Sequence, residues 1–444
     1  MIHLAQQNLL NQGQHGFVPG RSTQTQLLQH YCDVYETLAE GVRMDTVYLD
    51  FAKAFDKVNH NILLQKLAKH NIKGKIGIWI QEFLNNRKYR VVANGEMSDI
   101  QDVLSGVPQG TVLAAVLFII MIADIDEKVR NSIVRSFADD TRISKKIKSD
   151  EDKDMLQKDL EIIYEWANDN LMTFNDNEFE QMSNGETKDI ATKPYITPSG
   201  NEIMMKNTIK DLGVTTSSNL LFREHIDNIV TASKIMSGLL LRTFTTRHQV
   251  PMMRMFNTYI RSRLEYCGLV WSPSHQKDIN KIERVQRNFT SKIEEMEQLN
   301  YHQRLKKLNL YSLERRRERY LIINAWQQIE EIKENTLGLK ARRIGRSRRI
   351  VSTKIPLGIN GKRIKEKDRT LIHNSTAKKM ERLFNVLPQI LRNMTGTTTE
   401  TFKRNLDEWL KNVPDTPKID GYGESVAAES NSIWHQAGYV RSRT

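Results

Sequence analysis

The hydrophobic period changes near residue 223, and no single layer architecture serves both sides of that change. Upstream, short β-prone runs alternate with helical patterns. Val47-Tyr48-Leu49 runs into Asp50 as a buried strand ending in a polar residue, and Ile62, Leu63, Leu67, Ile76, Ile80 and Leu84 fall at helical spacing. Arg90 to Gly95 reads as a strand entering an Asn-Gly turn, and Ser105 to Gly110 as a loop. Residues 133–143 set an Asp-Asp pair at the tip of a hairpin with β-branched flanks. Downstream, three stripes repeat at helical spacing: Ile226, Ile229, Val230, Met236 and Leu240; Met252, Met255, Phe256, Tyr259 and Ile260; Ile279, Ile282, Phe289 and Ile293. They read as core faces of a helical second domain.

The longest apolar run, Val112 to Ala123, has 12 residues, where a bilayer span needs roughly 20, so it reads as a buried core helix. The N-terminal residues lack the basic-then-apolar order of a secretory signal. Cys32 and Cys267 make neither a disulfide framework nor a C-x-x-C zinc pattern. An intracellular protein, in nucleus and cytoplasm and not bound to a membrane, is the expectation. Lys plus Arg total 66 against 53 Asp plus Glu, and the resulting +13 points to a polyanionic partner, nucleic acid ahead of a membrane surface.

That charge has an address. Residues 340–369 hold 12 basic and 2 acidic residues, +10 of the chain's +13. Weak periodicity and several glycines predict a partly irregular segment whose cluster Arg342, Arg343, Arg346, Arg348 and Arg349 binds template RNA or serves nuclear import. The Arg315 to Arg319 run instead alternates with Glu314 and Glu318 in a helical pattern and reads as a solvated helix face. Trp271 and Trp326 read as core residues rather than base-stacking platforms.

Three carboxylates carry the candidate chemistry: Asp50 at a strand end, and Asp139 with Asp140 at the hairpin tip. If strand and hairpin are sheet neighbours, the acids meet at one edge, where their oxygens repel unless divalent cations bind between them. Two such ions about 3.5–4 Å apart activate a 3′-hydroxyl and stabilise a leaving pyrophosphate in nucleotidyl transfer.

At these residues the chain becomes recognisable. The series QHGFVPGRST at 14–23, VYLDFAKAFDKVNH at 47–60, SGVPQGTVLAAVLF at 105–118, FADD at 137–140, WANDNLMTFNDNEFEQMSNG at 166–185 and KDLGV at 210–214 resembles the reverse transcriptases of non-LTR retrotransposons, above all jockey and chicken-repeat-like elements. The resemblance continues through 260–293 and 310–320. It implies an α+β right-hand polymerase: partial fingers at 1–44, palm at 45–222, helical thumb at 223–335 and a basic C-terminal region at 336–444. The implied activity is RNA-directed DNA synthesis from dNTPs at a DNA primer or target 3′-end, with two Mg²⁺ or, in their stead, Mn²⁺.

By the same resemblance Asp50, Asp139, Asp140 and the Phe51 carbonyl match the metal ligands, and Phe55 the steric gate against a ribose 2′-hydroxyl. Gln109 and Gly110 match the loop at the incoming nucleotide, and Leu212-Gly213 the hairpin that grips the primer. Gly16, Phe17 and Arg21 match a fingers segment in contact with substrate, while Asp56 reads as a structural acid.

Departures are specific. Ala114-Ala115 stands where the family usually has Gly-Pro, which predicts an earlier helix start, and Glu178 stands where a Lys is usual. The chain opens inside the fingers pattern, so an N-terminally truncated copy is expected, with weakened triphosphate binding. The alternative is a catalytically impaired nucleic-acid-binding remnant. An intron maturase would need further regions that the sequence does not display.

Overall fold

The computed structural model describes residues 11–186, 193–355, 366–418 and 430–441. The chain forms two compact units, Met1–Gln26 with Val42–Leu212, and Leu27–Gly41 with Gly213–Thr444. The helix α1 (Thr23–Ala39) therefore contributes most of its length to the second unit.

The first unit is built on a five-stranded sheet. In chain order its strands are β1 (Arg43–Leu49), β2 (Ile133–Phe137), β3 (Asp140–Ile147), β4 (Glu180–Asn184) and β5 (Met204–Met205), and the spatial order is β2-β3-β1-β4-β5. Pairing is antiparallel except between β4 and β5, with Leu49 opposite Thr141 and Tyr48 opposite both Arg142 and Glu180. Between β1 and β2 lie α2 (His60–Lys69), α3 (Gly74–Leu84) and α4 (Val112–Met121). Asn59 caps α2 by accepting from the N–H groups of Asn61 and Ile62, and Thr111 caps α4 by accepting from Ala114 at 3.1 Å. The apolar run is a core helix: Leu117, Phe118, Ile119, Ile120 and Met121 are all buried with Val47, Leu49 and Ile143 of the sheet. α5 (Asp150–Asp169) adds Leu156, Leu160 and Ile163 to the same core. Each such side chain contributes on the order of 2 kcal/mol, so this core is what fixes the sheet edges in place. Asn94 and Gly95, at φ 53° and 88°, form the expected turn, which closes a small hairpin. No described helix is long and apolar enough to cross a membrane.

In the second unit, the regular elements between residues 223 and 335 are helices, with α6 (Arg223–Thr243), α7 (Gln276–Thr290) and α8 (Leu313–Ile329) as the long members. Ile226, Val230, Leu240, Met252, Phe256, Ile260, Ile279, Ile282, Phe289 and Ile293 are buried as their spacing predicts. Tyr259 is not, at 50% exposed. A π-helical turn over Phe256–Arg261 widens the helix there and rotates Tyr259 out of the stripe. Trp271 and Trp326 are core residues, Trp326 stacked on Phe402 with centroids 4.5 Å apart. Both cysteines are buried and neither forms a disulfide.

Two expectations for this unit are corrected. The Arg315–Arg319 run is not a solvated face: Arg315 is 0% and Arg317 5% exposed. Arg315 donates to the carbonyls of Val413 and Pro414, Arg316 pairs with Glu265, Arg319 with Asp407, and Glu318 accepts from Ser432 and Ile433. The helical charge pattern is genuine, but its partners lie far along the chain. The basic cluster, for its part, is not irregular. It forms a hairpin of β6 (Leu339–Ile344) and β7 (Ser347–Ser352), turned by Gly345 at φ 60°, with Ile350 and Ser352 buried and Arg342, Arg343, Arg346 and Arg349 exposed. Arg348 pairs with Glu330. Lys362, Arg363 and Lys365 of the same basic region lie outside the described residues.

Candidate active site

Asp50 leaves β1 where the strand ends. Its carbonyl accepts from the Asn175 N–H at 2.9 Å, and the next residue, Phe51, bridges to Phe174 with their rings stacked at 4.4 Å. The two segments are thereby held side by side. On the neighbouring hairpin Phe137 pairs with Asp140, leaving Ala138 and Asp139 as the two turn residues. Ala138 takes φ 56°, a conformation such a turn ordinarily gives to glycine. Gln14 holds it there. Its Oε1 accepts from the Ala138 N–H at 2.8 Å and from the Gly16 N–H at 2.7 Å, while its Nε2 donates to the Ala138 carbonyl at 3.3 Å. A Cβ on Gly16 would come within 2.3 Å of the Ala138 nitrogen, which is why this segment needs glycine.

The register puts Asp50 and Asp140 at the same end of adjacent strands, with Asp139 in the turn beside them. Burial, then the Glu178 carboxylate, pushes the Asp50 carboxyl above its ordinary range; an Asn175 hydrogen bond opposes the rise and Asp139 adds to it. Asp140 is open on its cleft side, yet burial, then Asp139 and Asp50, raise it to about 6 against the pull of Arg142. Both shifts start from burial and are increased by neighbouring carboxylates. Among the described residues no three acid, imidazole or thiol side chains are drawn close enough to enclose an ion. The donor set still fits one, since hard carboxylate oxygens that repel each other at a cleft are what a divalent cation relieves.

Three comparisons bear on this geometry. The family model described as reverse transcriptase (RNA-dependent DNA polymerase) matches residues 1–216. Residues 1–216 are a reverse transcriptase domain. The RNA-directed DNA polymerase from mobile element jockey of Drosophila funebris is 26% identical over 291 residues, 63% of this chain and 31% of that protein. Its Drosophila melanogaster counterpart is 28% identical over 253 residues, 54% and 27% respectively. The chain thus spans under a third of the length of these curated relatives. Among solved structures, apo telomerase from Candida tropicalis has a TM-score of 0.41 at 11% identity, covering 69% of this chain and 52% of that one.

The reverse transcriptase domain places its remaining site residues unevenly. Phe55 is half-buried and stacks on Phe118 at 4.2 Å, so its ring is fixed by the core helix α4. Gln109 is exposed and donates to the Asp56 carboxylate at 3.1 Å; Asp56 is the residue that orients the loop. Gly106, not singled out by sequence, is the glycine this loop requires: at φ 84° its Cβ would meet the Asp56 carbonyl oxygen at 2.7 Å. Gly110, also at φ 84°, faces open space. Arg21 donates to the carbonyls of Gln12 and Gln14, both at 2.7 Å, and so braces the segment that clamps Ala138. Leu212 and Gly213 form a tight turn at φ 46° and 80°. Glu178 accepts from the Asn175 amide at 2.8 Å and adds its carboxylate to the cleft. Sequence reasoning missed Gln14; the QHGF motif carried it, but nothing local names a partner 124 residues away.

Proposed function

We propose that the chain is the polymerase portion of a non-LTR retrotransposon reverse transcriptase, acting in nucleus and cytoplasm to extend a DNA 3′-end on an RNA template with dNTPs. The observation that carries this reading is the strand register that sets Asp50, Asp139 and Asp140 at one end of the sheet within a reverse transcriptase domain. Those three residues and the Phe51 carbonyl would hold two Mg²⁺ or Mn²⁺ ions, which when bound favour the 3′-alkoxide and neutralise the leaving pyrophosphate. The protein's own groups do the positioning. Phe55, braced by Phe118, presents its ring where a 2′-oxygen would sit. Gln109 is pre-oriented by Asp56, Gly110 leaves room for close approach, and the Leu212-Gly213 turn bears on the primer end. Arg21 acts through the backbone it braces.

The Arg hairpin is the proposed RNA contact. Arg342 stands opposite Arg349 and Arg343 opposite Arg348, and like charges directly opposite destabilise a ladder unless a polyanion lies across them. A second reading, a catalytically impaired nucleic-acid-binding remnant, is favoured by Glu178, which adds negative charge where negative charge develops.

Primer extension on a primed RNA template separates the two. The parent is expected to incorporate dNTPs, and Asp139→Asn to abolish incorporation with RNA binding retained. Equal extension by parent and variant overturns the metal assignment, and RNA binding without extension by the parent favours the remnant.

A further inference from the structure

We propose that Arg142 is a positioning residue: through Asp211 it fixes the Leu212-Gly213 turn relative to the metal-binding strand, and thereby sets where the primer 3′-end lies. The proposal rests on the polymerase reading above and adds to it a role that none of the family motifs assigns. Arg142 follows Asp140 by two positions on β3, so both side chains leave the same face. Its cross-strand neighbour on β1 is Tyr48, itself two positions before Asp50. The metal-binding pair and the Arg142–Tyr48 pair are therefore successive rows of one surface.

From that row the Arg142 guanidinium reaches the Asp211 carboxylate, and the two side chains are 3% and 8% exposed. Asp211 ends the strand Thr208–Asp211, and the next two residues are the turn itself. With Leu212 and Gly213 both held at positive φ, no slack separates the ion pair from the turn. Asp50, Asp140, Arg142, Asp211 and Leu212 line one cleft of about 400 Å³, the floor on which a primer end would rest. Upstream, Lys206 pairs with Glu180 of β4 and its N–H donates to the Gln181 carbonyl, so the approach to this strand is anchored to the sheet as well.

The charges matter because packing alone does not require them. A buried ion pair is commonly replaceable by apolar residues of similar volume without loss of stability, whereas removing one partner is strongly destabilising. What an apolar pair lacks is direction: a guanidinium and a carboxylate meet in a fixed relative orientation. A shift of the turn by about 1 Å is enough to cost on the order of 100-fold in rate.

The test compares Arg142→Met, Asp211→Leu and the double variant with the parent chain. Readouts are thermal stability, steady-state kcat and KM on a primed RNA template, and the fluorescence of 2-aminopurine at the primer 3′-terminus. The single variants are expected to lose stability and roughly 100-fold in kcat, with KM for dNTPs unchanged. The double variant should recover stability without recovering kcat or the terminal-base signal. Recovery of all three by the double variant, or a parental terminal-base signal in the single variants, overturns the proposal and leaves the pair a packing element. If the parent binds primer–template without extending it, the terminal-base signal decides alone. Failure of the parent to bind primer–template at all instead overturns the polymerase reading, and this proposal with it.

Discussion

The cleft of the first unit and helix α8 of the second both concentrate charge, on opposite terms. Along α8, Arg315, Arg316, Glu318 and Arg319 each have a protein partner, and Arg317 lies in the field of Glu283 and Glu314. At the cleft burial and neighbouring carboxylates raise the proton affinity of Asp50 and Asp140, with Arg142 offsetting only part of the rise at Asp140. A cluster whose charges are answered from within holds a fold together. One whose charges are left in mutual repulsion is fitted to something that arrives from outside.

The sharpest way to break that contrast is to remove one charge from each cluster. Asp139→Asn should eliminate extension while unfolding, followed by circular dichroism, stays near that of the parent, because no core packing is lost. Arg315→Met should do the reverse to the fold: it removes the donors to the Val413 and Pro414 carbonyls, the first of them buried, and should destabilise the second unit by about 2 kcal/mol. An Asp139→Asn variant that melts early, or an Arg315→Met variant of parental stability, would dissolve the distinction.

A smaller effect comes from pH. Burial pushes Glu283 up to about 7, against hydrogen bonds from Tyr301 and Leu313, the latter at 2.9 Å. The folded state then binds a proton that the unfolded chain, near 4.5, has released. Stability from this group is present at low pH and falls as pH rises from about 4.5 to about 7, by at most ~1.4 kcal/mol per pH unit. His225, lowered to about 4 by burial, works in the opposite sense between about 4 and 6.5. Denaturant midpoints of parent and Glu283→Gln across pH 4–8 isolate the Glu283 contribution; parallel curves would show that it does not titrate in that window.

The mildest perturbation concerns the hairpin. Replacing Arg342, Arg343, Arg346 and Arg349 by Gln should leave the fold intact and reduce the log–log salt slope of RNA binding by up to about 3, near 0.7 per lost single-strand phosphate contact. An unchanged slope would move the RNA surface elsewhere.

The sequence disclosed those features whose cause is local. Strand β1 and Asp50, the Asn94-Gly95 turn, the core helix α4 and the Asp139-Asp140 hairpin all follow from short-range period and turn chemistry. The buried run in α8 could not, since its answering groups sit at Glu265, Asp407, Val413, Pro414 and Ser432. The basic hairpin was hidden because its arginines mask the alternation that Ile350 and Ser352 mark on the other face. Within the site, the three acids were legible as a pattern. The clamp of Gln14 on Ala138 and the pairing of Arg142 with Asp211 are properties of the assembled sheet.

The assignment of residues 27–41 to the second unit has a consequence for biosynthesis. Leu27, Tyr31, Val34 and Leu38, all buried in the folded chain, leave the ribosome before the sheet strands of the first unit, but the rest of their own unit begins only at Gly213. At about 5–20 residues per second that interval lasts roughly 10–30 s. For that time the apolar face of this helix waits without its cover.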